Sequence, residues 1–142
     1  MRENRVLYYT TPVLNIGDNM LNVELLEANN DNSKTTLFDV MDEFPNKKHI
    51  VCAFSLSWPP FLFRVPKLLN LINNNLLKKS EYRIILIQIQ EAHSKYWSLG
   101  MNNHPDIQRN ITQRIKRAEE FIETTQLDLS KHLDSIRVLI DP

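Results

Sequence analysis

Two short apolar runs, separated by one helical stripe, constrain the fold of this chain more than any other feature. Residues 50–54 and 83–90 have the length of β-strands and are mostly apolar, which is typical of strands covered on both faces. Between them, apolar residues recur over residues 61–76 with the spacing of one helix face. A strand, a helix and a strand in this order predict an α/β fold, in which residues 50–54 form a central strand.

The rest of the chain supplies the other elements of such a fold. A polar turn at residues 29–33 predicts a hairpin, and a second apolar stripe predicts another amphipathic helix. The hairpin strands are predicted at residues 22–26 and 35–37, and a short helix follows at residues 38–43. The second amphipathic helix is predicted at residues 107–122, and a last strand at residues 136–140. We therefore expect an N-terminal extension at residues 1–15 and one domain at residues 16–142, with a mixed sheet of about five strands flanked by helices.

Composition and charge limit the kinds of partner and the cell compartment that are expected for this chain. The 142 residues include 17 basic and 17 acidic side chains, so the formal net charge is zero. No long-range field then favours nucleic acid or an anionic membrane surface. The N-terminus has no secretory apolar region, and no apolar run approaches the roughly 20 residues of a membrane span. We predict a cytoplasmic protein that binds neither nucleic acid nor membranes.

Cys52 is the single cysteine of the chain. One cysteine excludes an internal disulfide, a Cys-x-x-Cys redox pair and a cysteine-rich zinc site. It lies inside the first apolar run, where a free cysteine is expected to be a small buried hydrophobe. No spacing of His, Asp and Glu resembles a metal site, so neither a metal nor a cofactor is predicted.

Two junctions between a strand and a helix, at residues 57–60 and 91–97, are the predicted functional edge of the sheet. If the two strands are parallel neighbours, both junctions open at the same edge, beyond the carboxyl ends of the strands. Open α/β sheets bind their ligands there. Pro59 and Pro60 suit the first turn of a helix, because proline lacks the N–H group that this turn leaves unbonded.

Three motifs around these junctions resemble those of one family, the iodothyronine deiodinases. They are residues 52–61 with their Pro-Pro-Phe ending, Gln-Glu-Ala-His at residues 90–93 followed by Trp97, and Arg-Ile-Lys-Arg-Ala at residues 114–118. The resemblance implies a thioredoxin-like fold over residues 16–142. It also implies a sheet truncated at its C-terminal end, because the family continues there into a final hairpin and helix.

The family's activity is reductive dehalogenation by a selenocysteine or cysteine placed directly before Pro-Pro-Phe, with thiols as the reductant. Trp58 stands at that position in this chain, and an indole cannot act as this nucleophile. Ser57 matches the hydroxyl position before it, and Glu91 and His93 match residues of the family's active-site cleft. We interpret these four residues as a degenerate site with no catalytic residue, which argues against an enzyme.

The leading hypothesis is therefore a catalytically inactive, deiodinase-like protein that acts as an interaction or scaffold protein, by binding a protein partner or by self-association. Trp58 is the predicted anchor, since tryptophan is enriched in binding hot spots. A last strand at an open sheet edge would offer backbone groups for strand pairing. The predicted binding residues are Trp58, Pro59, Pro60, Phe61, His93, Trp97 and Arg114.

Two alternative functions stay open at this point. The first is a divergent, thiol-dependent oxidoreductase that uses Cys52, which requires the thiol to reach the cleft. The second is a non-catalytic pocket that binds an aromatic ligand through His93 and Arg114.

Overall fold

Five strands and four helices make up the described part of the chain. The computed structural model describes residues 17–28, 31–56, 59–74, 78–90, 110–132 and 134–142. The strands are β1 (Glu24–Glu27), β2 (Lys34–Thr36), β3 (Lys48–Phe54), β4 (Tyr82–Gln88) and β5 (Ile136–Ile140). The helices are α1 (Leu37–Asp42), α2 (Pro59–Asn73), α3 (Ile111–Thr125) and α4 (Leu129–His132). The predicted α/β class and the hairpin are confirmed.

The strands form one mixed sheet in the order β2-β1-β5-β4-β3. β3, β4 and β5 are parallel, whereas β1 is antiparallel to both β5 and β2. At the carboxyl ends of the parallel strands, Phe54 lies opposite Gln88, and Gln88 lies opposite Ile140. The two apolar runs are parallel neighbours, which is the condition under which both junctions were expected at one edge of the sheet, and the carboxyl ends of β3 and β4 lie side by side.

The prediction that residues 50–54 form a central strand is wrong. Among the described strands, β3 ends the sheet order and has β4 as its neighbour, and Ile50, Cys52 and Ala53 are exposed. An apolar run indicates that the side chains of a strand pack against other apolar side chains. It does not indicate whether one strand or two strands pair with its backbone. The order of strands is set by pairing between distant segments, which a local pattern does not contain.

The hypothesis that the last strand is an open edge is also wrong. β5 lies between β1 and β4, and four of its five residues are buried. The hairpin causes this position, because β1 pairs with β5 through Leu26 opposite Ile140 and Glu27 opposite Leu139. A strand near the N-terminus thereby covers the backbone groups of a strand near the C-terminus.

Side chains from the two faces of the sheet form two hydrophobic clusters. On the face covered by α2 and α3, three aromatic rings pack together: Phe61 stacks on Phe54 with centroids 4.9 Å apart, and Phe121 is tilted against Phe54 with centroids 4.5 Å apart. The cluster on the opposite face contains Leu25, Leu37, Val40, Ile85 and Leu139. The apolar stripes of α2 and α3 are thus core-facing, as predicted.

Hydrogen bonds from side chains fix the starts of α1 and α3. The Thr36 hydroxyl accepts the Asp39 N–H at 3.2 Å, and the Asn110 side chain accepts the Gln113 N–H at 3.0 Å. These residues cap N–H groups that the first turn of a helix leaves unbonded. Asparagine and threonine therefore set where these helices begin.

A network of charged side chains crosses the face covered by α1. Arg83 is fully buried, and it donates to the Val40 carbonyl at 2.5 Å and to Glu43 Oε2 at 2.7 Å. Glu43 also accepts from Arg137 at 3.3 Å. Arg137 in turn makes two short bonds to the Glu27 carboxylate, Nε to Oε2 at 2.9 Å and Nη2 to Oε1 at 2.8 Å. Glutamates from β1 and from the end of α1 thus neutralise arginines from β4 and β5.

The same network determines the charge state of Arg137. Burial lowers the pKa of Arg137, but the hydrogen bonds and charge of Glu27 and the charges of Glu43 and Asp31 outweigh burial. The pKa of Arg137 is therefore raised above its ordinary value. The guanidinium is charged at every pH at which the protein would be studied.

Candidate functional site at the edge of the sheet

The outer side of β3 carries backbone groups that point away from the sheet. Lys48 N–H donates to Glu81 at 2.7 Å, and the Phe54 carbonyl accepts from Ile89 N–H at 2.9 Å. Both bonds run toward the side of β4, and alternate residues of a strand direct their backbone groups to opposite sides. The groups that point outward are therefore those of His49, Val51 and Ala53. Within the described ranges, β4 is the one strand that pairs with β3.

The side chains of β3 add an apolar, uncharged surface to this edge. By alternation, Ile50 and Cys52 lie on the same face as Phe54, the face covered by α2 and α3. Ile50 is 42% exposed, and Cys52 is also exposed. On the other face, Val51 packs against the second cluster and Ala53 is exposed. No charged residue follows Lys48 in this strand.

The opposite edge of the sheet, β2, has the features that protect an edge strand. It is three residues long, and its Lys34 forms an ion pair at 2.8 Å with Glu24 of β1. Short strands and edge lysines are devices that prevent further strand pairing. β3 is seven residues long and lacks an internal charge, a proline or a described bulge. The two edges of one sheet therefore differ in their capacity to accept another strand.

The junction after β3 lies where the sequence predicts it. β3 ends at Phe54, and Pro59 is the first residue of α2, so both prolines fall in the first helical turn. Trp58 precedes this helix directly in the sequence. Trp58 itself lies outside the described residues, as do the other residues of the predicted degenerate site, Ser57, Glu91 and His93, and also Trp97.

Phe61, one of the predicted binding residues, belongs to the hydrophobic core. It is 7% exposed, and its ring stacks on Phe54 and lies 5.9 Å from the Phe121 centroid. Phe61 is the third residue of α2, and its ring lies against Phe54 of the sheet. Pro-Pro-Phe thus serves in part to anchor the start of α2 against β3 and α3.

Arg114 is engaged with the segment that follows β5. Its Nη1 donates to the Asp141 carbonyl at 2.5 Å, to Asp141 Oδ2 at 3.2 Å and to the Pro142 carbonyl at 2.9 Å. Its side chain retains 16% of its accessible surface. These bonds tie the first turn of α3 to the carboxyl end of β5. These contacts within the protein are sufficient to hold the Arg114 side chain in its position.

Cys52 is exposed, so the prediction that it is a buried hydrophobe is wrong. The physical reason is the edge position of β3, which removes the neighbouring strand that would have covered it on one side. Its backbone lies opposite Leu86 in the middle of the parallel pair. The thiol therefore lies on a face of the sheet, away from the junction that precedes α2.

A buried polar pair at the carboxyl edge was not anticipated from the sequence. Gln88 is fully buried, and Ser55 is 2% exposed. Gln88 Nε2 donates to the Ile89 carbonyl at 2.6 Å, while its Oε1 has no hydrogen-bond partner among the described residues. The sequence contains a signal for the buried polar side chain of Gln88. Gln88 follows four consecutive aliphatic residues, 84–87, in a strand that is predicted to be buried. A polar side chain at that place is a candidate for contact with a ligand or a bound water.

Metal sites and membrane spans are two further classes of feature to consider in the described residues. These residues contain no group of His, Cys, Asp and Glu arranged to hold a metal ion. None of their helices is long and apolar enough to cross a membrane. The remaining candidates are the β3 edge and the junction that follows it.

Comparison with known proteins yields no family assignment. No protein-family model matches the chain, and no curated protein matches it. The resemblance to the iodothyronine deiodinases remains a prediction that rests on the motifs at residues 52–61, 90–97 and 114–118.

Proposed function

We propose that this chain is a catalytically inactive, deiodinase-like protein with a thioredoxin-like fold, and that it acts as a protein-interaction module. The observation that carries the proposal is the β3 edge. This edge combines outward backbone groups at His49, Val51 and Ala53 with exposed side chains that bear no charge. An extended segment of a partner adds to such an edge by main-chain hydrogen bonding, with its side chains lying over Ile50 and Cys52.

The sequence after β3 supports the inactive part of the proposal. Trp58 occupies the position of the nucleophile in the resembled family, and the single thiol lies on the face of β3. A tryptophan next to an open edge offers a large apolar side chain with few rotatable bonds, which is the property of an interface anchor. In this proposal Trp58 extends the binding surface from the edge to the start of α2.

The decisive experiment compares two variants of one residue. Proline at position 53 removes an outward N–H group and no bond to β4, and edge strands tolerate proline where the N–H faces outward. Wild type, Ala53→Pro and Ala53→Ser are affinity-purified from the native cell context in reducing buffer and analysed by mass spectrometry. We expect a stoichiometric partner, including any untagged second copy, with wild type and Ala53→Ser but not with Ala53→Pro. The same partner in all three purifications, or none in any, contradicts the proposal.

A separate variant tests the anchor. Trp58→Ala is expected to weaken the complex, because truncating a hot-spot tryptophan removes most of its contact area. Trp58→Phe keeps an aromatic ring and serves as the matched control. Unchanged capture of the partner by Trp58→Ala would remove Trp58 from the site and leave the β3 edge as the whole of it.

The exposure of Cys52 favours a second candidate function, thiol-dependent redox chemistry. In that case a thiol reagent labels the native chain rapidly, and the chain reduces a small disulfide at the expense of an added thiol. Cys52→Ser and Cys52→Ala both remove the thiol, so both variants would abolish this turnover. Protection of Cys52 until global unfolding, or turnover that persists in both variants, excludes this candidate.

A further inference from the structure

We infer that the β1–β2 hairpin and α1 form one unit that detaches from the rest of the sheet as a whole, without global unfolding. This hairpin unit comprises residues 22–28 and 31–43. Its detachment uncovers β5, which lies between β1 and β4, together with the side chains of Arg83 and Arg137. The unit therefore controls access to an interior strand and to two arginines. The inference concerns a different part of the sheet from the β3 edge and does not depend on the proposed function.

Hydrogen bonds inside the hairpin unit connect its three elements to one another. Glu27 N–H donates to the Ser33 carbonyl at 2.9 Å, which joins the end of β1 to the segment before β2. Leu37 N–H donates to the Val23 carbonyl at 3.0 Å, which joins the start of α1 to the residue before β1. β2 runs directly into α1. The hairpin and α1 are therefore expected to move together.

The two hydrophobic clusters depend on the hairpin unit to different degrees. On the face covered by α1, three of the five buried residues belong to the unit, namely Leu25, Leu37 and Val40. On the face covered by α2 and α3, two of the thirteen buried residues described there belong to it, Leu26 and Ala28. Loss of the unit dissolves the first cluster and leaves most of the second in place. The three parallel strands, α2 and α3 thus keep a hydrophobic core of their own.

The backbone of the hairpin unit is joined to β5 along a short stretch. β1 pairs with β5 at two positions, and Ala28 N–H donates to the Val138 carbonyl at 3.1 Å. By comparison, β4 pairs with β3 at seven positions and with β5 at five. The ladder that holds the unit is therefore shorter than the ladders within the parallel part of the sheet, so the unit is expected to open first.

Two glutamates of the hairpin unit attach it to the arginines of β4 and β5. Glu27 accepts from Arg137 at 2.8 and 2.9 Å, and Glu43 accepts from Arg83 at 2.7 Å. Detachment separates these charges, so removal of the Glu27 carboxylate should make detachment easier.

Once detached, the hairpin unit is too small to keep its structure. α1 has six residues, and the two strands have four and three. A helix and an isolated hairpin of these lengths are not stable in water. All amides of the unit should therefore lose their protection in one common opening.

Native-state hydrogen exchange of the full chain, followed for each amide by NMR at constant pH, tests the inference. In wild type, the amides of Ala28 and Leu37 should share one protection factor, about tenfold or more below that of the β4 amides. The first of these amides bonds to β5 and the second bonds within the unit. A shared value shows that attachment and internal structure are lost together.

Two variants distinguish detachment from global unfolding. Glu27→Ala should speed exchange about thirtyfold in the hairpin unit and also in β4, because both kinds of opening separate Glu27 from Arg137. Phe61→Leu weakens the stacking of Phe61 on Phe54 of β3, and β3 lies three strand spacings from β1, about 14 Å. Detachment leaves that contact intact. Phe61→Leu should therefore speed exchange about fivefold or more in β4 and change it by less than about twofold in the unit.

A control variant and two replacements complete the test. Glu24→Ala breaks an exposed ion pair within the hairpin unit and should leave all these exchange rates unchanged within about twofold. Should Glu27→Ala fail to fold by circular dichroism, Glu27→Gln removes the charge and keeps the size. Should Phe61→Leu fail, Val65→Ala weakens the same cluster.

Each other result overturns the inference. Exchange in the hairpin unit that accelerates in Phe61→Leu as much as exchange in β4 shows that the chain opens only as a whole. Exchange in the unit that does not respond to Glu27→Ala shows local fluctuations that leave the ion pair closed. Different protection factors for Ala28 and Leu37 show that the unit does not open as one piece.

Discussion

The charge network between β1 and β5 allows a quantitative test of what stabilises the sheet. Glu27→Ala removes the carboxylate that accepts two bonds from Arg137. Glu27 is 5% exposed, and the Arg137 side chain keeps 21% of its accessible surface. Removing one partner of a buried ion pair costs about 3–5 kcal/mol. Because Arg137 retains a longer bond to Glu43 and some solvent contact, we expect a loss of about 2–3 kcal/mol.

The matched control lies in the same strand. Glu24→Ala breaks the ion pair with Lys34, whose two side chains are 60% and 74% exposed, so it should leave the free energy of unfolding unchanged within error. Urea unfolding at one fixed protein concentration measures both variants. For a chain of this length, about 2–3 kcal/mol corresponds to a decrease in Tm of about 5–10 °C. Equal stability of the two variants would refute the reasoning.

A double-mutant cycle separates the ion pair from other effects of the substitution. Arg137→Ala leaves Glu27 buried without its partner, so the double variant should be more stable than the sum of the two single losses predicts. The coupling energy should be about 2 kcal/mol. Because the pKa of Arg137 is raised in the folded state, its contribution is complete below the ordinary arginine pKa and falls only as pH rises through the raised value. The penalty of Glu27→Ala should therefore be the same at pH 7 and pH 9.

Three further substitutions test individual features by urea unfolding. Gln88→Met keeps the volume but removes both the Nε2 bond to the Ile89 carbonyl and the Oε1 acceptor, for which the described residues provide no partner; the two changes oppose each other, so the free energy of unfolding should change by less than about 1 kcal/mol, and a loss of about 2 kcal/mol or more would indicate a bound water or ligand at Oε1. Pro66 lies inside α2, where proline lacks a helical hydrogen bond, so Pro66→Ala should stabilise by about 1–2 kcal/mol, and a loss would show that α2 requires a bend. Asn110→Ala removes the cap of α3 and should cost about 1 kcal/mol, with Asn110→Asp retaining most of the stability.

Local patterns predicted the elements of this fold well. The apolar stripe of α3, the buried run of β4 and the two prolines at the start of α2 each depend on residues that are near one another in the sequence. The side chains of such a segment determine both its periodicity and its ends. The predicted junction before Pro59 belongs to this group, because proline and an apolar stripe are local signals.

Features that depend on distant residues were predicted poorly. The edge position of β3 and the exposure of Cys52 follow from the order of the strands, which no segment contains by itself. The buried Arg83 is compatible with the fold only because Glu43, 40 residues earlier, accepts its hydrogen bond. The pair between Glu27 and Arg137 spans 110 residues. From the sequence alone, these four charged residues are indistinguishable from those of a solvated surface.

The asymmetry between the two edges of the sheet links the fold to the proposed function. At β2, three residues with an ion-paired lysine end the sheet, whereas β3 leaves outward backbone groups beside the exposed Ile50. An open apolar edge promotes uncontrolled pairing unless it is covered. Among the described strands, β3 is the one edge of this kind, so an association that covers it leaves no second open edge for further pairing. A sheet whose described strands end in one protected and one open edge is therefore suited to a single, self-limiting association.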